Sequence, residues 1–540
     1  MKQVFNPFLP LNEYIPDGEP HIFGDRVYHY GSHDKEGGYT FCMLDYVCYS
    51  APVDDLTDWR YEGVIYRANQ DPQFGDQLKY MYAPDVVCGN DGKYYLYYCM
   101  GGDYGQGGYT GPICVARADL PVGKYEYLGI VHYKDGSPMM KYVCFDPAVI
   151  NDDGVIRVYY GTRYDYEERE DFLEHPEYLD IETGMFGRSR EEILSYGKDS
   201  INGPAMVVLE DDMMTVKEDA KHIIPYRVKG TSFEEHPFFE GASMRKIGNK
   251  YYFIYSSWQN HELCYATSDY PDKDFTFGGT IVSNGDIGYL GRDVNHKLNM
   301  TGTTHGSIIQ IDDQWYVFYH RLTHRSDYSR QACAEKIVIE ADGSIKQVEI
   351  TSCGLNRTPL VATPDMTYPA VICCNLTNGN MPHGSNSVFP YEFPNVTNLG
   401  EDRFIGNIED GTLIGYKYFQ FHKITKLQLV ARIEDENNKA KFDGPIRVDE
   451  RCFDDENYNA KNNTFDSKSD TNDACVENYF EIKLSLEGTA IGRITIDKNM
   501  ADSLQWTTYQ TELTISDGVY PLYLIYHGKD KVQLKEFTFA

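Results

Sequence analysis

Short runs of alternating apolar and polar residues, rich in Tyr, recur along the first two-thirds of the chain. One such word occurs five times: DRVYHYGSHD from Asp25, GKYYLYYCMG from Gly92, GVIRVYYGTR from Gly154, NKYYFIYSSW from Asn249 and DQWYVFYHRL from Asp313. Each copy follows a turn containing Gly or Asp (FGD, NDG, DDG, IGN, IDD), and each turn follows another apolar run (PHIF, PDVV, PAVI, ASMRKI, GSIIQI). Strand, tight turn, strand is the pattern of a hairpin. Several copies continue into a third strand, as in SAPVDDLTDWRYEG, ARADLPVGKYEYLG and TSDYPDKDFTFGG. The copies lie roughly 60 to 95 residues apart, which suits four-stranded blades with long loops. The pattern predicts an all-β chain whose residues 1–355 form a five-bladed β-propeller. A β-sandwich of ordinary hairpins is the competing fold, but sandwiches do not repeat one motif five times.

After 355 the repeat stops. Residues 356–378 read as a linker, and 379–540 as a β-sandwich of the jelly-roll kind. In that region FIGNIEDGTLIGYKYFQF reads as a hairpin, and YFEIKLSLEGTAIGRITI, LQWTTYQTELTI and GVYPLYLIYHG as a meander. The polar, acidic stretch from Asp449 to Asp473 reads as a long exposed loop.

Charge narrows the partners. Among 540 residues, 82 Asp and Glu outweigh 50 Lys and Arg, for a net charge of -32. Nucleic acid and anionic membrane surfaces repel such a chain, whereas a neutral ligand such as a sugar does not. No apolar run reaches membrane-spanning length, and the N-terminus shows no signal-peptide core. The 13 Cys are scattered, only Cys373 and Cys374 adjoining, with no metal-type CxxC spacing. Reduced, buried thiols in a cytoplasmic protein are expected. A homo-oligomer is compatible with the sequence, which does not fix the oligomeric state.

Candidate chemistry sits at the start of each repeat: IPDGEPHIF (Asp17), YAPDVV (Asp85), CFDPAVI (Asp146), FFEGASM (Glu240) and TTHGSII (His305). Inner propeller strands start at one mouth, so these five residues are expected to face one cavity. An Asp before Pro is by itself commonly a turn former. Carboxylates crowded about one axis raise one another's pKa, a cost tolerated mainly at functional sites. Glycoside hydrolysis uses such a set: one carboxyl kept protonated, another ionised, and a third to tune the acid.

These motifs resemble glycoside hydrolase family 43 over residues 5 to 350. NPFLPLNEYIPDGEPHIFGDRVYHYGSHD is similar to its N-terminal base motif, YAPDVV to its second acidic motif with Tyr82 for Trp, and FFEGASM to its general-acid motif with Ala242 for Pro. THGSII and YHRLTHRSDYSRQACAEKI resemble the fifth-blade His and closing Arg segments. The resemblance implies an inverting enzyme with Asp17 as general base, Glu240 as general acid and Asp85 as the residue orienting Glu240 and tuning its pKa. It implies calcium held by His305 and water, or else a buried hydrogen-bonded His. Arg330 reaches the sugar or forms an ion pair. Asp146 touches substrate or caps a turn, and Phe238 and Trp258 stack on sugar or pack between blades. The C-terminal third resembles a family 6 carbohydrate-binding module, with Trp506 and Tyr416 as sugar platforms or core residues. The expected activity is exo-acting hydrolysis of terminal β-D-xylose and/or α-L-arabinofuranose from xylan- or arabinan-derived oligosaccharides. An endo-arabinanase and a non-catalytic sugar-binding propeller are the competing readings.

Overall fold

The structure is a computed structural model describing residues 3–74, 80–101, 110–163, 176–384, 392–440, 477–497 and 504–540. The Asp449 to Asp473 stretch lies outside the described residues. The protein is all-β with few helices, of which Pro176–Phe186 and Arg190–Ser195 are the α-helices among the described residues.

Each of the five sequence repeats folds into its own antiparallel sheet. Their first strands are Glu19–Phe23, Asp85–Cys88, Ala148–Asp152, Phe238–Ile247 and Ser307–Ile311. The first four sheets have four strands and the fifth has three. Strand Glu19–Phe23 packs beside both Asp85–Cys88 and Ser307–Ile311. Ala148–Asp152 packs between Asp85–Cys88 and Phe238–Ile247, which in turn meets Ser307–Ile311. The fifth sheet is flanked by the chain's start: the Phe8 amide donates to the Ala332 carbonyl at 3.1 Å, and the Asn6 side chain exchanges hydrogen bonds with Ala334 at 2.8 and 3.0 Å.

The abundance of Tyr has a physical cause. The sixth letter of the repeated word is Tyr30, Tyr97 and Tyr159 in the first three copies, all fully buried. Their hydroxyls donate to carbonyls in the following sheet: Pro121 at 2.9 Å, Met213 at 2.7 Å and Pro271 at 2.9 Å. Each ring supplies apolar area between sheets, and each hydroxyl satisfies a buried carbonyl that a Phe would leave unpaired.

The C-terminal strands form two six-stranded sheets around one core that includes Leu427, Leu429, Phe480, Leu524, Phe537 and Phe539. Two expectations change here. The supposed linker, 356–378, supplies three short strands, Leu360–Val361, Thr367–Pro369 and Asn375–Thr377, to these sheets. The supposed hairpin is split: Asp402–Ile408 pairs with Val532–Phe539, and Leu413–Phe421 with Gly518–His527 in the other sheet. The meander is split likewise, because Thr507–Glu512 pairs with Lys426–Ile433. Alternation identifies a strand and its buried face but not its partner. Tyr416 is fully buried and donates to the Ala370 carbonyl. Trp506 lies against Phe404 and under the Arg432 guanidinium, and donates to Asp402 at 2.8 Å. Both are packing residues.

Candidate active site

Pairing in the hairpins fixes which residues share a depth along the inner strands. The sixth letter of each repeated word faces Glu19, Asp85, Ala148, Ser243 and Ser307 in turn. Two residues earlier stand Asp17, Ala83, Asp146 and His305. Glu240 joins this outer level through a bulge, since it pairs with Ser256 while Ser243 pairs with Ile254. Gly241 makes the bulge with φ +70, and a Cβ there would lie 2.9 Å from the His305 ring, so only Gly fits.

Asp85 therefore belongs one level deeper, roughly 6.7 Å down the strand. It does not line the cavity at the strand mouths. Its carboxylate meets His21 Nε2 at 2.6 Å and accepts the Val86 and Val149 amides at 2.7 Å each. The expectation that Asp85 orients Glu240 finds no contact to carry it. Counting from the start of each first strand misaligned this repeat by two residues, whereas counting from the Tyr-rich strand places it.

The cavity at the outer level, counted out into open solvent, spans about 460 Å³. Its walls are Asp17, Phe41, Tyr82, Phe145, Asp146, Phe239, Glu240, Thr303, His305, His320 and Arg330. Every one of the five repeats contributes. Phe238 is not among them: it is buried against Phe253 and Tyr255. Its neighbour Phe239 faces the cavity instead, and Trp258 packs edge-on behind Phe239 with ring centroids 4.9 Å apart. Tyr82, Phe145 and Phe239 each stand one residue before an outer-level position. This aromatic-then-acid pattern was visible in CFDPAVI and FFEGASM. Phe41 comes from a loop and carried no signal.

The acidic groups differ in protonation. Asp17 is buried, and Arg330 Nη1 donates to both its oxygens at 2.9 and 3.0 Å. His320 Nδ1 lies 3.3 Å from Asp17 Oδ1 and from its amide, and His305 Nδ1 lies 3.7 Å from Oδ1. Burial alone would raise the Asp17 carboxyl, but Arg330 and the two imidazoles outweigh it and hold it far below the usual carboxylate range. Arg330 is itself fixed by Asp34, which accepts from Nε at 2.8 Å and Nη2 at 2.9 Å. Burial and then the charge of Asp17 push Glu240 up to about 8, against the pull of Arg330. Asp146, 3.8 Å from His305 Nδ1, is raised by burial and then by Glu240 and Asp17. Asp17 and Asp146 both hold positive φ, +59 and +46, a conformation that Asp adopts more readily than most residues.

A hard cation fits the channel on one observation. Burial pushes His305 down to about 4, so its ring is neutral. Its buried Nε2 has no hydrogen-bond partner, and one level deeper Glu19 Oε1 is equally unpartnered. A neutral imidazole nitrogen without a donor suits a cation whose shell is completed by water.

Comparison with known proteins agrees in kind. The profile of "Glycosyl hydrolases family 43" matches residues 19–173 and 190–345. A xylosidase/arabinosidase of Thermoclostridium stercorarium is 38% identical over 552 residues, covering 99% of this chain and 99% of that protein. A xylosidase/arabinosidase of Bacteroides ovatus is 29% identical, covering 63% of this chain and 97% of its own. The crystal structure of a family 43 enzyme from Xanthomonas citri complexed with xylose is 25% identical over 66% of this chain and 96% of its own, with a TM-score of 0.49.

Proposed function

Because the chain belongs to family 43 of the glycosyl hydrolases, we propose that it is an inverting exo-glycosidase. It would release terminal β-D-xylose and/or α-L-arabinofuranose from xylan- or arabinan-derived oligosaccharides. The observation that carries the reading is a pair of carboxyl groups, Asp17 and Glu240, held in opposite protonation states on one cavity. Asp17, kept ionised by Arg330, takes the proton of the attacking water. Glu240, kept protonated, gives its proton to the leaving oxygen. The third acid of the cavity is Asp146, which is raised by burial and then by the charge of Glu240 and titrates with it, and not Asp85. The relative that is 38% identical over 99% of this chain is a xylosidase/arabinosidase, which favours this reading over an endo-arabinanase. A non-catalytic sugar-binding site has no use for a carboxyl kept neutral beside an ionised one. Nitrophenyl β-xyloside, nitrophenyl α-arabinofuranoside and linear arabinan, assayed side by side with product configuration followed by NMR, test the reading. Turnover of arabinan alone, or retained configuration, would overturn it.

The ring of contacts among the five first strands supports a five-bladed propeller, and the shared core of the two C-terminal sheets supports a β-sandwich. The eleven described cysteines are free, and most are buried, which supports a reducing, cytoplasmic setting.

The pH profile follows from Glu240. Its pKa stands above the ordinary 4.5 at about 8, so the acid is in its working form below that value and activity falls as pH rises through it. Asp146 is raised by burial and then by the charge of Glu240, so the two acids titrate together and Asp146→Asn should move the alkaline limb. An unmoved limb would remove Asp146 from this role.

His305 would hold calcium, which when bound adds positive charge beside the pocket. Chelation should lower the melting temperature and the rate together, with both restored by added calcium. His305→Ala should abolish that calcium response; a variant that still responds places the ion elsewhere.

A further inference from the structure

The C-terminal sheets grip two of the segments that wall the pocket. Arg403, on strand Asp402–Ile408, holds Glu36 with both arms of its fork: Nε donates to Oε1 at 3.0 Å and Nη2 to Oε2 at 2.9 Å. The Val396 amide, on strand Asn395–Leu399, donates to the Thr323 carbonyl at 3.0 Å. Glu36 stands in the segment between strands Arg26–Tyr30 and Tyr46–Pro52, which also carries Asp34 and Phe41. Thr323 opens the segment that leads to Tyr328 and Arg330.

The two segments meet at the cavity. Phe41 packs edge-on to Tyr328 with centroids 4.7 Å apart, and the Arg330 guanidinium lies 4.6 Å over the Phe41 ring. Asp34 accepts from Arg330 and also accepts the Cys42 amide at 2.9 Å. The segment around Phe41 has no strand of its own: past the bond from the Asp34 amide to the Tyr14 carbonyl at 2.9 Å it closes on short local hydrogen bonds, Gly38 to Lys35 and Leu44 to His33. A ring on such a loop keeps its place only as well as the loop is pinned from outside. The bidentate Arg403–Glu36 pair is the planar, directional kind of contact suited to that task.

We propose that Arg403 is a positioning residue of the sugar pocket. By holding Glu36 it sets Phe41 against Arg330, so the C-terminal sheets act as the outer support of the substrate wall. The proposal rests on the exo-glycosidase reading in one respect: the Phe41 wall is taken to face the sugar.

The experiment is a double-mutant cycle in the full-length protein. Arg403→Met, which keeps the stem and removes the fork, should raise KM for a nitrophenyl pentoside about fivefold, more than it lowers kcat. The pair is partly exposed, so the melting temperature should hardly move. Phe41→Ala should raise KM as well, and the double variant should be no worse than Phe41→Ala alone, because Arg403 acts through Phe41. Charge exchange, Glu36→Arg with Arg403→Glu, should recover most of the lost affinity. Hydrogen exchange read by mass spectrometry gives a measure that needs no substrate: residues 36–44 should exchange faster in Arg403→Met. An unchanged KM, multiplicative effects in the double variant, or unaltered exchange over 36–44 would each overturn the proposal. Were the wild type inert on both pentosides, the glycosidase reading would fall, while the exchange experiment would still decide the brace.

Discussion

Asp17→Ala should reduce turnover on every glycoside substrate by up to about 10⁴-fold, the upper range for loss of a positioned general base. The loss should be independent of the leaving group. Asp17 is the carboxylate that Arg330 keeps ionised, with two contacts at 2.9 and 3.0 Å. The other two acids at the cavity are raised first by burial, which Asp17→Ala leaves in place, so neither is placed to substitute as a base at neutral pH. Added azide, a small nucleophile needing no deprotonation, should restore part of the rate and yield a glycosyl azide. Equal activity of Asp17→Ala and wild type on any pentoside would reassign the base.

Glu240→Ala should behave differently with leaving group. On natural oligosaccharides, whose departing oxygen must be protonated, the rate should fall by about 10²- to 10⁴-fold. On a dinitrophenyl glycoside, whose phenolate leaves unaided, the fall should stay within about tenfold. The alkaline limb near pH 8 should also disappear from the residual activity, because the group that titrates there is gone. A variant equally crippled on both substrates would mean that Glu240 binds or orients substrate and does not donate the proton.

Fold and site were unequally legible in the sequence. The five hairpins could be read because period-two alternation and Gly/Asp turns are local signals, and because one word recurs. Asp17, Asp146, Glu240 and His305 followed from that recurrence and do share a cavity wall. Asp85 did not, because a strand's first residue is a poor origin for counting: its depth is set by the partner strand, here Tyr97. Phe238 and Phe239 were confused because a one-residue bulge reverses which side chain faces the cavity. Phe41 comes from a loop, His320 from near the end of the fifth sheet's middle strand and Arg330 from the start of its third; periodicity announces none of them, and Arg330 was reached through the family resemblance. In the C-terminal third every strand was short and alternating, yet pairing joins residues far apart in sequence, such as Leu427 with Phe539. Alternation carries no information about that.

The flank of the fifth sheet by the chain's first residues sets an order of events during synthesis. Asn6 and Phe8 leave the ribosome well before their partners Ala332 and Ala334, which emerge more than three hundred residues later. The Asp17–Arg330 ion pair spans the same interval. The opening segment must therefore wait, and the base acquires its charge partner only when the two ends of the repeat region meet. Catalytic competence arrives with that final joining. A chain stopped after the fourth repeat would carry both Asp17 and Glu240 yet have nothing to set them apart in protonation. Trimming the first eight residues should have the same consequence from the other end, opening the seam beside the base in an otherwise complete protein.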